Sequence, residues 1–196
     1  MKRNAATWLM LLYNLPARPS TQRVYVWRKL KSCGVLYWQH SVCILPARPG
    51  FRERFEQLKR DIEERRGEAI ISTIQFPEHK EQESLVTRFR QQADEEYQEF
   101  LGQCRDFHEE LAKERKACHF TFAELEENEV ELAKLRSWLP KIHQRDFFRG
   151  TLESTAKKAL AACEKDFARF SATIAEVNER NLQTPELARK RPKSKS

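Results

Sequence analysis

The sequence predicts an α+β fold in which a ferredoxin-like βαββαβ domain is followed by an antiparallel bundle of long helices. β-prone and helix-prone runs alternate in the order strand, helix, strand, strand, helix, strand up to Pro77, and helical periodicity follows. Only 5 glycines among 196 residues, together with 33% charged residues, favour long solvent-facing helices. We therefore divide the chain into a basic ferredoxin-like domain over residues 1–77, a helical bundle over 78–181 and a disordered basic tail over 182–196.

The first predicted strand is followed by a basic helix. Thr7–Asn14 is a nearly continuous apolar run, which is typical of a central strand. Ser20 or Thr21 is predicted to cap the next helix, and Gly34 is predicted to end it. The apolar stripe of this helix, which we expect to pack on the sheet, consists of Val24, Trp27, Leu30 and Cys33.

A hairpin, a second helix and a last strand complete the predicted domain. Val35–Trp38 and Val42–Leu45 are short β-prone runs, and a helix extends from Gly50 through Arg66. Ala69–Phe76 is rich in Ile and Thr and predicts the fourth strand. Because the first and third strands are the most apolar, we expect them in the middle of the sheet. The stripe of the second helix consists of Phe51, Phe55, Leu58 and Ile62.

Three long amphipathic helices are predicted after the sheet domain. Thr121 and Glu124 form a capping box at the start of the second of these helices, and Pro140 is predicted to interrupt or kink it. Asp146 is predicted to cap the turn that follows. The first apolar seam consists of Leu85, Phe89, Ala93, Tyr97, Phe100, Cys104, Phe107 and Leu111, the second of Leu125, Asn128, Leu132, Leu135 and Leu139, and the third of Leu152, Ala156, Ala159, Cys163, Phe167, Phe170, Ile174 and Val177.

Positive charge is concentrated in the predicted sheet domain. Residues 1–66 contain 14 basic and 5 acidic groups, whereas residues 67–100 contain 3 and 8. Cations on a helix or on the loops that open helices can neutralise phosphates, and helix N-termini at Ser20 and Gly50 add N–H donors. A solvated helix face is the alternative for each single side chain, and no helix-turn-helix or zinc finger is visible. The candidate nucleic-acid-binding residues are Arg18, Arg23, Arg28, Lys29, Lys31, Arg48 and Arg52.

Three aromatic residues in the same domain raise a second hypothesis. Exposed aromatic rings between cations can stack on single-stranded bases. Trp27 belongs to the predicted apolar stripe and is expected in the core. Tyr37 and Trp38 are consecutive in a strand and must point to opposite faces, so one of them is expected to be exposed. Stacking therefore stays an open alternative.

Metal binding and catalysis are both disfavoured by the pattern. Cys104 and His108 are four residues apart on one helix, and Cys118 precedes His119, but a metal site needs three or four ligands. Asn14 stands at the end of the first strand, where ferredoxin-like nucleases place a magnesium-binding aspartate. An amide binds a hard cation less well than a carboxylate does. We expect no enzyme, no bound metal and no cofactor.

Cysteine spacing and hydropathy bound the compartment. The 5 cysteines are widely spaced without a CxxC motif, which favours a reducing cytoplasm over a disulfide framework. The longest apolar run, Trp8–Tyr13, is far shorter than the roughly 20 residues of a membrane span. We expect a cytoplasmic protein without a transmembrane helix.

Two separated blocks of the sequence resemble one known family. The runs are WLMLLYNLPARPSTQRVYVWRKLKSCGVLYWQHSVCILP and FTFAELEENEVELAKLRSWLPKIHQRDFF. Both are similar to the N-terminal domain of ChrB, the chromate resistance regulator family. The resemblance implies a bacterial cytoplasmic transcriptional regulator that binds promoter DNA and controls chromate efflux genes. Full-length members of the family carry a further domain after this region.

Chromate as an effector would need its own recognition site. It is a tetrahedral dianion, so a sensor pocket would bring several arginines or lysines together. Arg145 is the candidate anion-sensing residue, together with the pair Arg48 and Arg52. Local pairing of Arg145 with Asp146 around a helix start is the alternative.

The sequence as a whole predicts a DNA-associated transcriptional regulator of the chromate-resistance type. A polyanion would bind through the basic N-terminal domain. The alternative is a non-enzymatic protein-interaction or dimerisation module whose charge serves solubility. A homodimer and chromate as effector are both left open.

Overall fold

The computed structural model describes residues 7–183 and has the predicted α+β architecture. None of the helices in this range is apolar enough over a sufficient length to cross a membrane. Of the predicted tail over 182–196, residues 182 and 183 belong to the last helix, and the rest lies outside the described residues. The elements are β1 (Thr7–Asn14), α1 (Ser20–Cys33), β2 (Leu36–Gln39), β3 (Val42–Pro46), α2 (Phe51–Glu63), β4 (Glu68–Gln75), α3 (His79–Ala117), α4 (Phe122–Arg145) and α5 (Glu153–Gln183).

The four strands form one antiparallel sheet in the order β2-β3-β1-β4. As predicted from their apolar character, β1 and β3 occupy the middle. Leu12 pairs with Val42 and Trp8 with Pro46. The last residues of β1 therefore lie beside the β2–β3 hairpin, and the last residues of β3 lie at the opposite end of the strands. Because α1 follows β1 and α2 follows β3, these helices begin at opposite ends of the sheet.

The buried face of α1 differs from the prediction. Val26 and Leu30 are buried, whereas Val24 and Trp27 are 43% and 48% exposed. Leu30 belongs both to the predicted stripe and to the real one, and a 14-residue helix is too short for periodicity to choose between neighbouring phases. The predicted side-chain cap is also absent, because Pro19 is the N-cap residue and makes no such hydrogen bond. Gly34 ends the helix in the left-handed conformation, as predicted.

The stripe predicted for α2 is confirmed, since all four of its residues are buried. The helix ends at Glu63 and not at Arg66, whose φ of 59° is left-handed and incompatible with a continuing helix. Gly67 is required by space, because a Cβ atom there would lie 2.4 Å from the Asn14 carbonyl oxygen. The turn into β4 therefore depends on a close approach between two backbone segments.

The second face of the sheet is covered by α3 and by a segment that follows α4. Trp8 of β1 stacks on Phe89 of α3, with ring centroids 5.8 Å apart and planes within 8°. Phe148 lies 5.8 Å from the same indole, and Phe147 packs on Phe51 at 5.1 Å. Residues 7–96 and 141–151 accordingly form one compact unit.

Residues 97–140 and 152–183 form a second compact unit, which is a three-helix bundle. Residues of all three predicted seams are buried, including Asn128, whose amide donates to the Glu124 carbonyl. The Thr121 hydroxyl accepts from the Glu124 N–H, as predicted for this cap. Pro140 does not interrupt α4, which continues to Arg145. The predicted boundary at residue 77 stays a prediction, whereas the compact units divide within α3 after Glu96.

Candidate nucleic-acid interface

The outer side of α1 carries an unbroken set of cations. The helix contains no acidic residue, and every predicted cation on it is exposed. Arg23 and Lys31 stand four residues before and after Trp27, so the three side chains share one helix face. We define the α1 cationic surface as Arg18, Arg23, Arg28, Lys29 and Lys31.

Within the described part of the chain, no carboxylate forms an ion pair with any residue of the α1 cationic surface. Several cations elsewhere are paired; for example, Arg115 contacts Asp166, and Lys157 contacts Glu153. Lys29 instead lies over the Tyr25 ring at 5.6 Å. The positive charges of α1 thus stay available to an external anion.

Arg48 and Arg52 are not part of this surface. Both lie at the start of α2, which is at the other end of the sheet from the start of α1. Arg48 donates to the Phe147 carbonyl and packs on the Phe147 and Phe148 rings at 5.6 and 5.5 Å. Arg52 donates to the Thr73 hydroxyl at 2.8 Å. The structure therefore separates the predicted binding residues into two groups, and among residues 7–183 the side chains of the α1 group have no hydrogen-bond partner.

An open cleft of about 840 Å³ lies between α1 and the β2–β3 hairpin. Trp27 and Trp38 both line it, and they are 48% and 42% exposed. The expectation that Trp27 lies in the core was wrong, and the expectation of one exposed aromatic in β2 is met by Trp38. We define the hairpin cleft by its lining residues Tyr13, Trp27, Tyr37, Trp38, Gln39, His40, Ser41 and Val42.

Charge and protonation in the hairpin cleft favour anionic or neutral ligands over cations. Lys31 lies 5.6 Å from the Trp27 ring, and the Arg88 guanidinium lies 5.2 Å from the Trp38 ring. Burial, followed by the charge of Cys43, raises the pKa of Tyr13 and of Tyr37 above the ordinary tyrosine value. Both hydroxyls consequently stay protonated at any physiological pH.

Arg145, the predicted anion-sensing residue, is held by a carboxylate. Its guanidinium donates through two nitrogens to both oxygens of Glu96, with Nε 3.2 Å from Oε1. Asp146 does not take this place, because its carboxylate accepts from the Gly150 N–H at 2.9 Å, as the predicted turn cap requires. The side chains of Arg145 and Glu96 are only 16% and 17% exposed. A dianion could therefore reach Arg145 only by displacing Glu96, and sensing by this residue stays a prediction.

A polar cluster in the bundle explains one of the two predicted ligand pairs without a metal. Cys163 lies 3.5 Å from His108 Nε2, and its thiol donates to the Cys104 carbonyl at 3.7 Å. His108 Nδ1 lies 2.9 Å from Asp166, which also accepts from Arg115 at 2.7 Å. The hydrogen bond with Cys104, together with burial, raises the pKa of Cys163, so this thiol stays protonated and unreactive.

Asp166 gives this cluster a pH dependence. Partial burial raises its pKa, but hydrogen bonds from Arg115 and His108 outweigh burial and bring the pKa below the ordinary 3.8. The ionised carboxylate therefore stabilises the fold above that pH, and its contribution is lost as the pH falls below it. We expect Asp166→Asn to reduce the free energy of unfolding by about 1 to 2 kcal/mol at neutral pH. In urea titrations, variant and wild type should converge on acidification, and a constant difference down to strongly acidic pH would contradict this assignment.

The second predicted pair is not brought together. His119 Nδ1 lies 3.1 Å from a carboxylate oxygen of Glu114, and the Glu124 carboxylate is also close to it. Cys118 does not belong to this set and is exposed in the turn between α3 and α4. These three ligand atoms lie within 4.8 Å of one another. The contact between His119 Nδ1 and the Glu114 carboxylate accounts for the grouping.

The residue considered for a catalytic metal site lies at the end of β1. Asn14 is exposed there and pairs with Glu68 of β4 across the sheet. The expectation that the protein is not an enzyme stays a prediction.

Comparisons with known proteins agree on one family. The sequence model of the family described as Protein ChrB, N-terminal, matches residues 23–181. Protein ChrB of Cupriavidus metallidurans is 27% identical over 94 residues, which cover 48% of this chain and 28% of that protein. The match thus spans little more than a quarter of the length of the curated relative.

Proposed function

Because the chain belongs to the ChrB N-terminal family, we propose that it is a DNA-associated transcriptional regulator that binds the phosphate backbone through the α1 cationic surface. The role is one of binding and regulation in the bacterial cytoplasm, without a catalytic step. Chromate is the effector that the family resemblance implies. Association of two copies at an operator stays a prediction.

One observation carries the proposal. The cations of α1 are exposed and make no ion pair with carboxylates among the described residues, whereas several cations of the bundle do. A cation already paired with a carboxylate must break that contact before it can bind phosphate. An unpaired one exchanges only water and loosely held anions, while the DNA releases its condensed counterions. The cations of the α1 cationic surface can therefore bind the phosphates of a polyanion without first breaking an ion pair.

The geometry supports contacts to phosphates more directly than contacts to base edges. Four of the five cations lie on one helix, between Arg23 and Lys31, so they span about two and a half turns. Phosphate contacts of this kind position a protein on a duplex and carry no sequence information by themselves. Recognition of a particular operator would have to come from other groups or from the shape of the DNA.

The test compares two triple variants with the same change in net charge. Arg23→Gln, Arg28→Gln and Lys31→Gln remove charge from α1, whereas Lys113→Gln, Lys134→Gln and Lys157→Gln remove charge from bundle cations that are already paired. Fluorescence anisotropy with a labelled promoter duplex measures affinity against salt concentration. We expect the α1 variant to bind about a hundredfold more weakly at about 0.2 M salt, and its log–log salt slope to fall by about 3.

The bundle variant is the control and should bind like the wild type. Equal losses in the two variants would mean that only total charge matters and would overturn the assignment to α1. Wild-type protein that binds no duplex even at low salt would overturn the proposed function. The interaction-module alternative would then be favoured, with the exposed side chains of Phe122 and Val130 on α4 as its first candidates.

A further inference from the structure

We propose that the hairpin cleft binds unpaired bases of single-stranded DNA, with the indole rings of Trp27 and Trp38 as stacking surfaces. The inference rests on the proposed function, which brings a nucleic-acid backbone to α1. It adds a part that phosphate contacts cannot supply, because stacking requires a base that has left the duplex.

The first argument is the exposure of two indoles on one cleft. Tryptophan buries more apolar surface than any other side chain, and half-exposed indoles forgo much of that stabilisation. Trp27 and Trp38 lie on different elements, α1 and β2, and yet line the same space. Trp38 packs against Phe76, with ring centroids 6.0 Å apart, and against Arg88, which also donates to the Tyr37 carbonyl. Its ring is thus held in place in the absence of a ligand.

The second argument is the charge around the cleft. None of its lining residues is a carboxylate, so a phosphate chain meets no repulsion from the walls. Arg23 and Lys31 flank Trp27 on the same helix face, which places a cation on each side of the stacking ring along α1. Basic side chains that follow the backbone, with aromatic rings between them, are the arrangement that single-strand binding proteins use.

The third argument is the fit of the remaining groups to a base. A cleft of about 840 Å³ lies in the range of pockets that hold small organic molecules, and it is large enough for one or two bases. Gln39, His40 and Ser41 form the hairpin rim and offer donors and acceptors to base edges. Since the lining contains no acidic group, hydrogen bonding there favours neutral or anionic partners.

The test compares single strands with and without bases, and a duplex serves as the third probe. Full-length protein is titrated with a labelled thymidine oligomer of about 12 nucleotides, an abasic oligomer of the same length, and a duplex. Trp27→Ala is compared with Val24→Ala, which removes another exposed apolar side chain from α1 outside the cleft. We expect Trp27→Ala to bind the thymidine oligomer about tenfold more weakly, to bind the duplex and the abasic oligomer unchanged, and Trp27→Phe to recover most of the loss. Quenching of intrinsic tryptophan fluorescence by the thymidine oligomer should fall in the same variant.

The outcomes separate this inference from the proposed function. Protein that binds the duplex but holds the thymidine and abasic oligomers with equal affinity retains the proposed function and has no base-stacking cleft. An equal loss in Trp27→Ala and Val24→Ala would also overturn the stacking role. If neither duplex nor single strand binds at low salt, both proposals are wrong.

Discussion

Replacing Trp8 by alanine is expected to lower the free energy of unfolding by about 4 kcal/mol. The side chain is 1% exposed and joins β1 to Phe89 of α3 and to Phe148 beyond α4. Its removal leaves a cavity between three segments that cannot all collapse inward, because each of them is also held by other contacts. Denaturant unfolding followed by circular dichroism measures the change.

Trp27→Ala is the matched control, since it removes the same side chain from an exposed site. We expect a change below about 0.5 kcal/mol for this variant. Trp8→Phe should also cost much less than Trp8→Ala, because the buried Trp8 Nε1–H has no hydrogen-bond acceptor among the described residues and phenylalanine removes this unpaired donor. Equal costs for Trp8→Ala and Trp27→Ala would contradict the packing described for the sheet.

The second large effect is expected at the ion pair of Arg145 and Glu96. Each single variant, Arg145→Met or Glu96→Leu, leaves one charge in a site that is about five-sixths buried. We expect each to lose about 3 kcal/mol of stability, because the remaining charge is still buried but no longer has a partner of opposite charge. The double variant should recover most of this loss, since two apolar side chains of similar volume replace the pair. Thermal and denaturant unfolding of all four proteins complete the double-mutant cycle.

This cycle also decides what Arg145 does for function. If its role is structural, loss of the promoter response in Arg145→Met follows from less folded protein and is restored in the double variant. Retained stability with loss of the chromate response would instead support Arg145 as a sensor and would contradict the structural assignment.

The order of elements could be predicted because each strand and helix shows its own signal. Thr7–Asn14 is bounded as predicted, and the seams of the long helices fix their buried faces over many turns. A short helix contains fewer apolar positions, so its buried face is less well determined by the sequence pattern. In α1 a stripe through Val24 and a stripe through Val26 both include Leu30 and fit the periodicity almost equally well, and packing against the sheet makes the choice.

The candidate site could be predicted only in part. The cations of α1 are visible in the sequence. The separation of Arg48 from them follows from the sheet topology, because the antiparallel strands β1 and β3 end at opposite ends of the sheet. The pairing of Arg145 with Glu96 joins residues 49 positions apart and has no local pattern. The sequence raised stacking by Trp27, Tyr37 and Trp38, but the hairpin cleft was not predicted because Trp27 was assigned to the core. The one signal available was that Arg23, Trp27 and Lys31 repeat at intervals of four.

The segment that packs on Trp8 has a consequence for how the protein is made. Phe148 emerges from the ribosome long after β1, and at about 5 to 20 residues per second this delay lasts roughly 7 to 27 seconds. Even after β4 has been made, the indole side of the sheet lacks its last cover until Phe148 is available.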